Sequence, residues 1–165
     1  MSDNQTRPGE LVLALDPAKT ADDARLVFIG RIRTPWRVRE DAPKNPRRAR
    51  ERGGGACVEI DAPYRAGLQG LEKYSHVIVL YWMDRARRDL IVQAPKHRAT
   101  PCGVFALRSP VRPNPIALAV VRVLAIDAAA GRIEIDAIDC LDATPLLDIK
   151  PYRPGIDAVP EATTE

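Results

Sequence analysis

Apolar positions along this chain recur in short blocks with a period of two or with no period, the pattern of strands rather than helices. Residues 26–33 begin as an apolar run, turn to alternation and stop at Thr34-Pro35. A second block, 56–60, ends before Asp61-Ala62-Pro63. Residues 76–83 are rich in Val, Ile, Leu, Tyr and Trp without polar alternation, which predicts a central strand buried on both faces. Residues 103–107 predict another short strand. Blocks 116–126 and 132–138 flank Asp127-Ala128-Ala129-Ala130-Gly131 and predict a hairpin with Gly131 in the left-handed position. The second arm of that hairpin alternates cleanly, Ile133, Ile135 and Ala137 against Arg132, Glu134 and Asp136. Helix is scarce, with one or two turns expected over 66–73.

About seven short strands without repeated strand–helix–strand units predict a mainly β fold, a small and mostly antiparallel β-barrel with few short helices. A doubly wound parallel sheet, and with it the common nucleotide-binding fold, is disfavoured. The folded unit is expected over 25–155. Residues 1–24 read as an N-terminal arm with a short strand at 11–13, and 156–165 as a loose tail.

The 165 residues suit one domain-sized core, and 45% hydrophobic with 28% charged residues excludes collagen-like and wholly disordered classes. No apolar run approaches the roughly 20 residues that span a bilayer, and the polar start, Met1-Ser2-Asp3-Asn4-Gln5, lacks the pattern of a secretion signal. Cys57, Cys102 and Cys140 are odd in number, far apart and outside any C-x-x-C pair, which favours free thiols in a reducing cytoplasm over disulfides or zinc. Charge is uneven. Residues 31–52 carry nine basic and three acidic side chains, and 85–98 carry Arg85, Arg87, Arg88, Lys96 and Arg98 against Asp89. Such clustering points to a polyanionic partner.

Several segments hold candidate chemistry. Gly53-Gly54-Gly55 precedes a strand and lacks phosphate-loop spacing, so it reads as a flexible loop. His76 and His97 belong to no metal cluster or nucleophilic triad, and no metal site is expected; His76 should satisfy backbone groups at its strand's entrance. Residues 108–115, Arg-Ser-Pro-Val-Arg-Pro-Asn-Pro, place three prolines in six residues and two guanidiniums on a stiff loop. That loop is either a rigid connector or a forked-donor holder for carboxylate or phosphate. Residues 139–152 carry Asp139, Asp142 and Asp148 around an Asp142-Ala143-Thr144-Pro145 turn, which is either a capped turn or a pocket wall for a polar ligand. The basic stretch 37–52 is either a solvated loop or part of a binding face.

Four segments together resemble the TsaA-like/TrmO family. They are Ile29-Gly30-Arg31-Ile32-Arg33-Thr34-Pro35; Gly70-Leu71-Glu72-Lys73-Tyr74-Ser75-His76; Gly103-Val104-Phe105-Ala106-Leu107 running through the Arg-Pro loop to Ile116; and Asp142-Ala143-Thr144-Pro145 with Asp148-Ile149-Lys150-Pro151-Tyr152. The resemblance spans about 26–155 and implies a β-barrel that binds S-adenosylmethionine without a Rossmann sheet. It implies homodimers that methylate N6 of threonylcarbamoyladenosine beside the tRNA anticodon, so the tRNA anticodon loop is the expected partner. Carried over by position, it assigns cofactor contacts to Asn45, Pro46, Arg47, Asp84, Arg85, Arg108, Leu118, Asp142, Ala143, Thr144 and Pro145. Arg112 and Asn114 are the expected substrate contacts, and no catalytic base is assigned. Arg108 and Asp142 are expected to converge on one cleft. This chain has Asp84 where many members have His, and Ala143 where the turn usually has Gly. It also ends soon after the barrel, where longer relatives carry an extra C-terminal domain. Two alternatives stand beside the tRNA reading, a methyltransferase of the same fold with another substrate and a non-catalytic S-adenosylmethionine-binding module.

Overall fold

The computed structural model describes residues 6–96 and 98–164 and divides the chain into two compact units. One comprises the described residues up to Val27 with Tyr81–Ala117, the other Phe28–Leu80 with the residues from Leu118 on. In chain order the strands are β1 (Leu11–Val12), β2 (Gly30–Arg33), β3 (Ala56–Ile60), β4 (His76–Trp82), β5 (Leu90–Gln93), β6 (Cys102–Gly103), β7 (Ile116–Asp127), β8 (Arg132–Ile135) and β9 (Thr144–Pro151). Three short helices, α1 (Pro17–Thr20), α2 (Pro46–Glu51) and α3 (Pro154–Asp157), each begin with proline, whose fixed φ and missing N–H suit a first helical turn.

Six strands close into a barrel in the order β2-β3-β8-β7-β4-β9. Its interior comes from period-two alternation: Ile32, Val58, Val77, Val79, Val121, Ile133, Ile135 and Leu146 are at most 1% exposed. Each such side chain removed from water contributes roughly 1.5–3 kcal/mol. The β7–β8 hairpin turns through Gly131 at φ +72°, where a Cβ would meet the Ile60 carbonyl oxygen at 2.6 Å. The expected barrel and hairpin are therefore observed. In the other unit β1, β5 and β6 form a three-stranded antiparallel sheet. Glu10 ties the N-terminal segment to it: its carboxylate, 1% exposed, accepts the N–H of Arg7 (2.9 Å) and of Ala94 (3.2 Å).

Four expectations need correction. The strand expected over 26–33 begins only at Gly30, opposite Ile60 at the end of β3, with single further bonds from Asp61 N to Ile29 O and from Ile29 N to Leu146 O before it. Leu26, Val27 and Phe28 are left exposed. β4 is not buried on both faces: Val77 and Val79 point into the barrel, while His76, Ile78 and Leu80 are half-buried. Of residues 103–107 only Gly103 is in a strand, as the second residue of β6, and a 3-10 turn over Val104–Ala106 follows, with Val104 buried and Phe105 82% exposed. The one or two turns expected over 66–73 are present, as the ends of two 3-10 turns, Ala62–Leu68 and Leu71–Lys73, with Gln69 and Gly70 (φ +86°) between them. The His76 ring meets the Ser75 hydroxyl (3.0 Å) rather than backbone. His97 lies outside the described residues. Among the described residues no helix is long and apolar enough to cross a membrane, and no three His, Cys, Asp or Glu side chains cluster as metal ligands would.

All three cysteines are free thiols. Burial pushes the Cys140 thiol up to about 12, against a smaller opposing effect of the Thr144 hydroxyl, and burial also raises Cys57. Since the thiolate is the reactive form, both are inert in the folded state. A disulfide reagent added to native protein is expected to titrate Cys102 alone, with Cys57 and Cys140 reacting only on unfolding. Fast release of three equivalents from native protein contradicts this burial.

Candidate functional site

The Asp142-Ala143 turn of the barrel unit is braced by bonds to residues 32–36. Asp142 N donates to Trp36 O (2.7 Å) and Ala143 N to Ile32 O (2.9 Å). The Asp142 carboxylate accepts from Thr34 N (3.2 Å), and the Thr34 hydroxyl donates to Cys140 O (3.0 Å). The indole N–H of Trp36 reaches Ile138 O (3.0 Å), and the Thr144 hydroxyl closes the turn on Leu141 O (2.7 Å). Arg33 Nη1 stands 3.7 Å from Asp142 Oδ2, and 31% of the Asp142 side chain remains exposed. Ala143 keeps a left-handed φ of +64° although it carries a Cβ. The hydrogen bonds on both sides of it over-determine that conformation. Thr34, Trp36 and Arg33, the side chains that place Asp142, have no local signal in the sequence, because their partners lie about a hundred residues on.

Part of the basic stretch 37–52 is ordered as α2. Asn45 is its N-cap, its side-chain oxygen accepting Arg48 N at 2.9 Å, and Ala49 is its buried contact. Arg50 fastens the helix to the barrel's outer surface, donating to Asp136 Oδ2 (2.5 Å) and Val120 O (3.4 Å). Leu118, 44% exposed, lies two residues before Val120 on the same strand face. Burial lifts the Asp136 carboxyl, but Arg50 and the N–H groups of Arg122 and Ala137 outweigh it and hold the group below the usual carboxylate range. Arg52 packs over the Trp36 ring (5.7 Å) and donates to Asp41 O (2.7 Å). Arg47 stays 87% exposed beside Glu51. The barrel unit thus holds Asn45, Pro46, Arg47, Leu118 and the 142–145 turn.

Asp84, Arg85, Arg108, Arg112 and Asn114 belong to the other unit. Asp84 and Arg85 line a cavity of about 350 Å³ with Asp16, Arg87, Arg88 and Asp89. Arg87 and Asp89 pair there through two 2.8 Å bonds, and the guanidinium holds the Asp89 carboxyl below its ordinary range. Arg88, stacked over Trp82 (5.3 Å), donates to Pro113 O (2.6 Å) and Asn114 Oδ1 (3.4 Å). Arg112 folds back on its own loop, its Nη2 donating to Val104 O (2.7 Å) and Leu107 O (2.9 Å). Arg88 and Arg112 thus brace the proline loop, and Asn114 takes part in that bracing.

The barrel unit is a small closed β-barrel carrying a strapped aspartate turn, and it is not a doubly wound parallel sheet. The chain belongs to the tRNA-methyltransferase O N-terminal domain family, which it matches over residues 31–158. It is 40% identical over 153 residues to the probable S-adenosyl-L-methionine-binding protein VirR of Rhizobium radiobacter, covering 93% of this chain and 83% of that protein. An S-adenosyl-L-methionine-binding protein of Archaeoglobus fulgidus is 40% identical over 79% of this chain and 91% of its own length. A crystal structure of TrmO from Pseudomonas aeruginosa superimposes with a TM-score of 0.70 at 34% identity, covering 88% of this chain. The chain spans 62% of that TrmO chain.

Two outcomes test the geometry. A left-handed φ costs an L-residue roughly 1–2 kcal/mol, of which glycine's greater unfolded-state entropy returns about half. Ala143→Gly should therefore stabilise the protein by about 0.5–1 kcal/mol in urea unfolding; a loss of stability would refute the conformation. Asp136, with its folded-state pKa depressed, contributes stability that is present above its unfolded pKa of about 3.9 and is lost as pH falls through the folded value. Asp136→Asn should cost about 1 kcal/mol at pH 7, with the gap to wild type shrinking as pH drops below about 3.9. A gap that is constant with pH would show that the carboxylate's charge plays no part.

Proposed function

We propose that this protein is an S-adenosylmethionine-dependent methyltransferase acting on N6 of threonylcarbamoyladenosine beside the tRNA anticodon. Membership of the family over 31–158 carries the reading, supported by the names of its relatives. The residues present fit an adenosyl group. The part-exposed Asp142 carboxylate can accept from ribose hydroxyls or an amino group, and the exposed Ala143 and Leu118 offer apolar surface to a base. The cofactor-contact assignments to Asn45, Pro46, Arg47, Thr144 and Pro145 belong to the same unit, with Asp84, Arg85 and Arg108 assigned by the same resemblance.

Bound S-adenosylmethionine supplies a methyl carbon made electrophilic by its sulfonium. The protein's own part is orientation, which can contribute up to roughly 7–11 kcal/mol when reacting atoms are held in line. The strapped turn suits that role because its hydrogen bonds fix the carboxylate before anything binds. Arg112, whose Nη2 is held by two carbonyls, presents the rest of its fork in a set direction for a substrate carboxylate. The exposed Arg47 suits phosphate contact, and unpaired anticodon-loop bases are open to such reading.

A second reading is a module that binds the cofactor without transferring its methyl. It is favoured by two relatives named only as binding proteins, of which this chain covers 83% and 91%, against 62% of TrmO. Calorimetry with S-adenosylmethionine, then mass spectrometry of threonylcarbamoylated tRNA that lacks the N6-methyl group, incubated with protein and cofactor, separates the two. Binding followed by a 14 Da gain on that nucleoside (one CH2 added) is expected (~14 Da by the transfer stoichiometry). Binding without the gain favours the module, and no binding heat sinks both. Arg112→Ala should reduce turnover of tRNA while leaving cofactor affinity within about twofold.

A further inference from the structure

Arg33 has two acidic neighbours and is bonded to only one. Its Nε donates to Glu59 Oε2 at 2.8 Å, whereas its Nη1 stops 3.7 Å short of Asp142 Oδ2. Glu59 is itself restrained, with Arg132 Nη1 at 3.8 Å from Oε1 and Arg132 Nε on Glu134 at 2.5 Å. Strand register builds this row: Arg33 faces Cys57, Cys57 faces Glu134, and Glu59 faces Arg132 across β2, β3 and β8. The four charged side chains lie on the outer surface above the buried Cys57 thiol, and the row ends at the Asp142 turn.

We propose that Glu59 is a positioning residue for cofactor binding, holding Arg33 back so that the Asp142 carboxylate stays open to its ligand. A guanidinium is able to take a carboxylate through two parallel bonds, and that geometry would occupy both Asp142 oxygens. Oδ1 already accepts Thr34 N, so capture of Oδ2 by Arg33 would leave Asp142 little acceptor capacity for a hydroxyl or amino group. With Glu59 holding the Nε edge, Arg33 instead contributes positive charge near Asp142 without closing on it. This inference rests on the proposed role of Asp142 in cofactor binding.

Glu59→Gln removes the competing charge. S-adenosylmethionine affinity by calorimetry should fall about tenfold, while the melting temperature moves little, because ion pairs this exposed contribute little to stability. In an Arg33→Met background the same change should cost less than about twofold, since nothing remains to close on Asp142. A structure of the Glu59→Gln protein should show Arg33 within about 3 Å of Asp142 Oδ2. Unchanged affinity in Glu59→Gln, an equal loss in both backgrounds, or an Arg33 that stays apart overturns the proposal. Asp142→Ala separates the two levels. If it leaves affinity unchanged, the cofactor role of the turn fails; if it abolishes binding while Glu59→Gln is neutral, only the role of Glu59 fails.

Discussion

The four residues of β2, pinned between β3 and β9, are the constraint on which the barrel unit depends. Gly30 pairs with Ile60 on one side and Leu146 on the other, and a Cβ on Gly30 would collide with the Glu59 carbonyl oxygen. With that approach set, period two does the rest: Ile32 goes inward at 0% exposure and Arg33 outward to Glu59 and Asp142. A slip of one residue would bury the arginine and expose the isoleucine, so the apolar core selects the register. The same register delivers Thr34 and Trp36 to the 138–143 segment. Core packing and site geometry thus have one cause.

The basic residues, so prominent in the composition, divide into two kinds once their partners are known. Arg50, Arg52, Arg87, Arg88 and Arg112 spend donors on carbonyls, carboxylates or aromatic faces of their own unit. Each lets a short or proline-rich segment keep a definite shape where regular backbone hydrogen bonding is sparse. Arg47, by contrast, is largely in solvent. Arginine's planar fork explains the first kind, since one side chain can satisfy two acceptors at fixed angles. A polyanion would meet the second kind. Charge counting along the chain cannot separate them, because it records donors without acceptors.

The departure at Ala143 shows how far tertiary contacts can override a residue's preference. An isolated Asp-Ala-Thr-Pro sequence has no reason to adopt a positive φ, yet the main-chain bonds to Ile32 and Trp36 impose it. The turn is held from outside its own sequence, which is how it keeps a left-handed residue without a glycine.

The sequence alone was enough for whatever depends on neighbours in the chain. Residues 56–60, 76–82 and the hairpin around Gly131 announced themselves by apolar blocks and turn residues. The proline loop and the aspartate turn carried enough pattern to mark the family. Tertiary structure alone decided what depends on distant partners. It set the start of β2 at Gly30, opposite Ile60, the last residue of β3. It turned 104–106 into a 3-10 turn, with Arg112 on its carbonyls, and shaped 46–51 into a helix held by Asp136. It also chose Thr34, Arg33 and Glu59 as the surroundings of Asp142. Strand and turn preferences are written in adjacent residues, whereas the partners of a carboxylate are chosen only when the barrel closes.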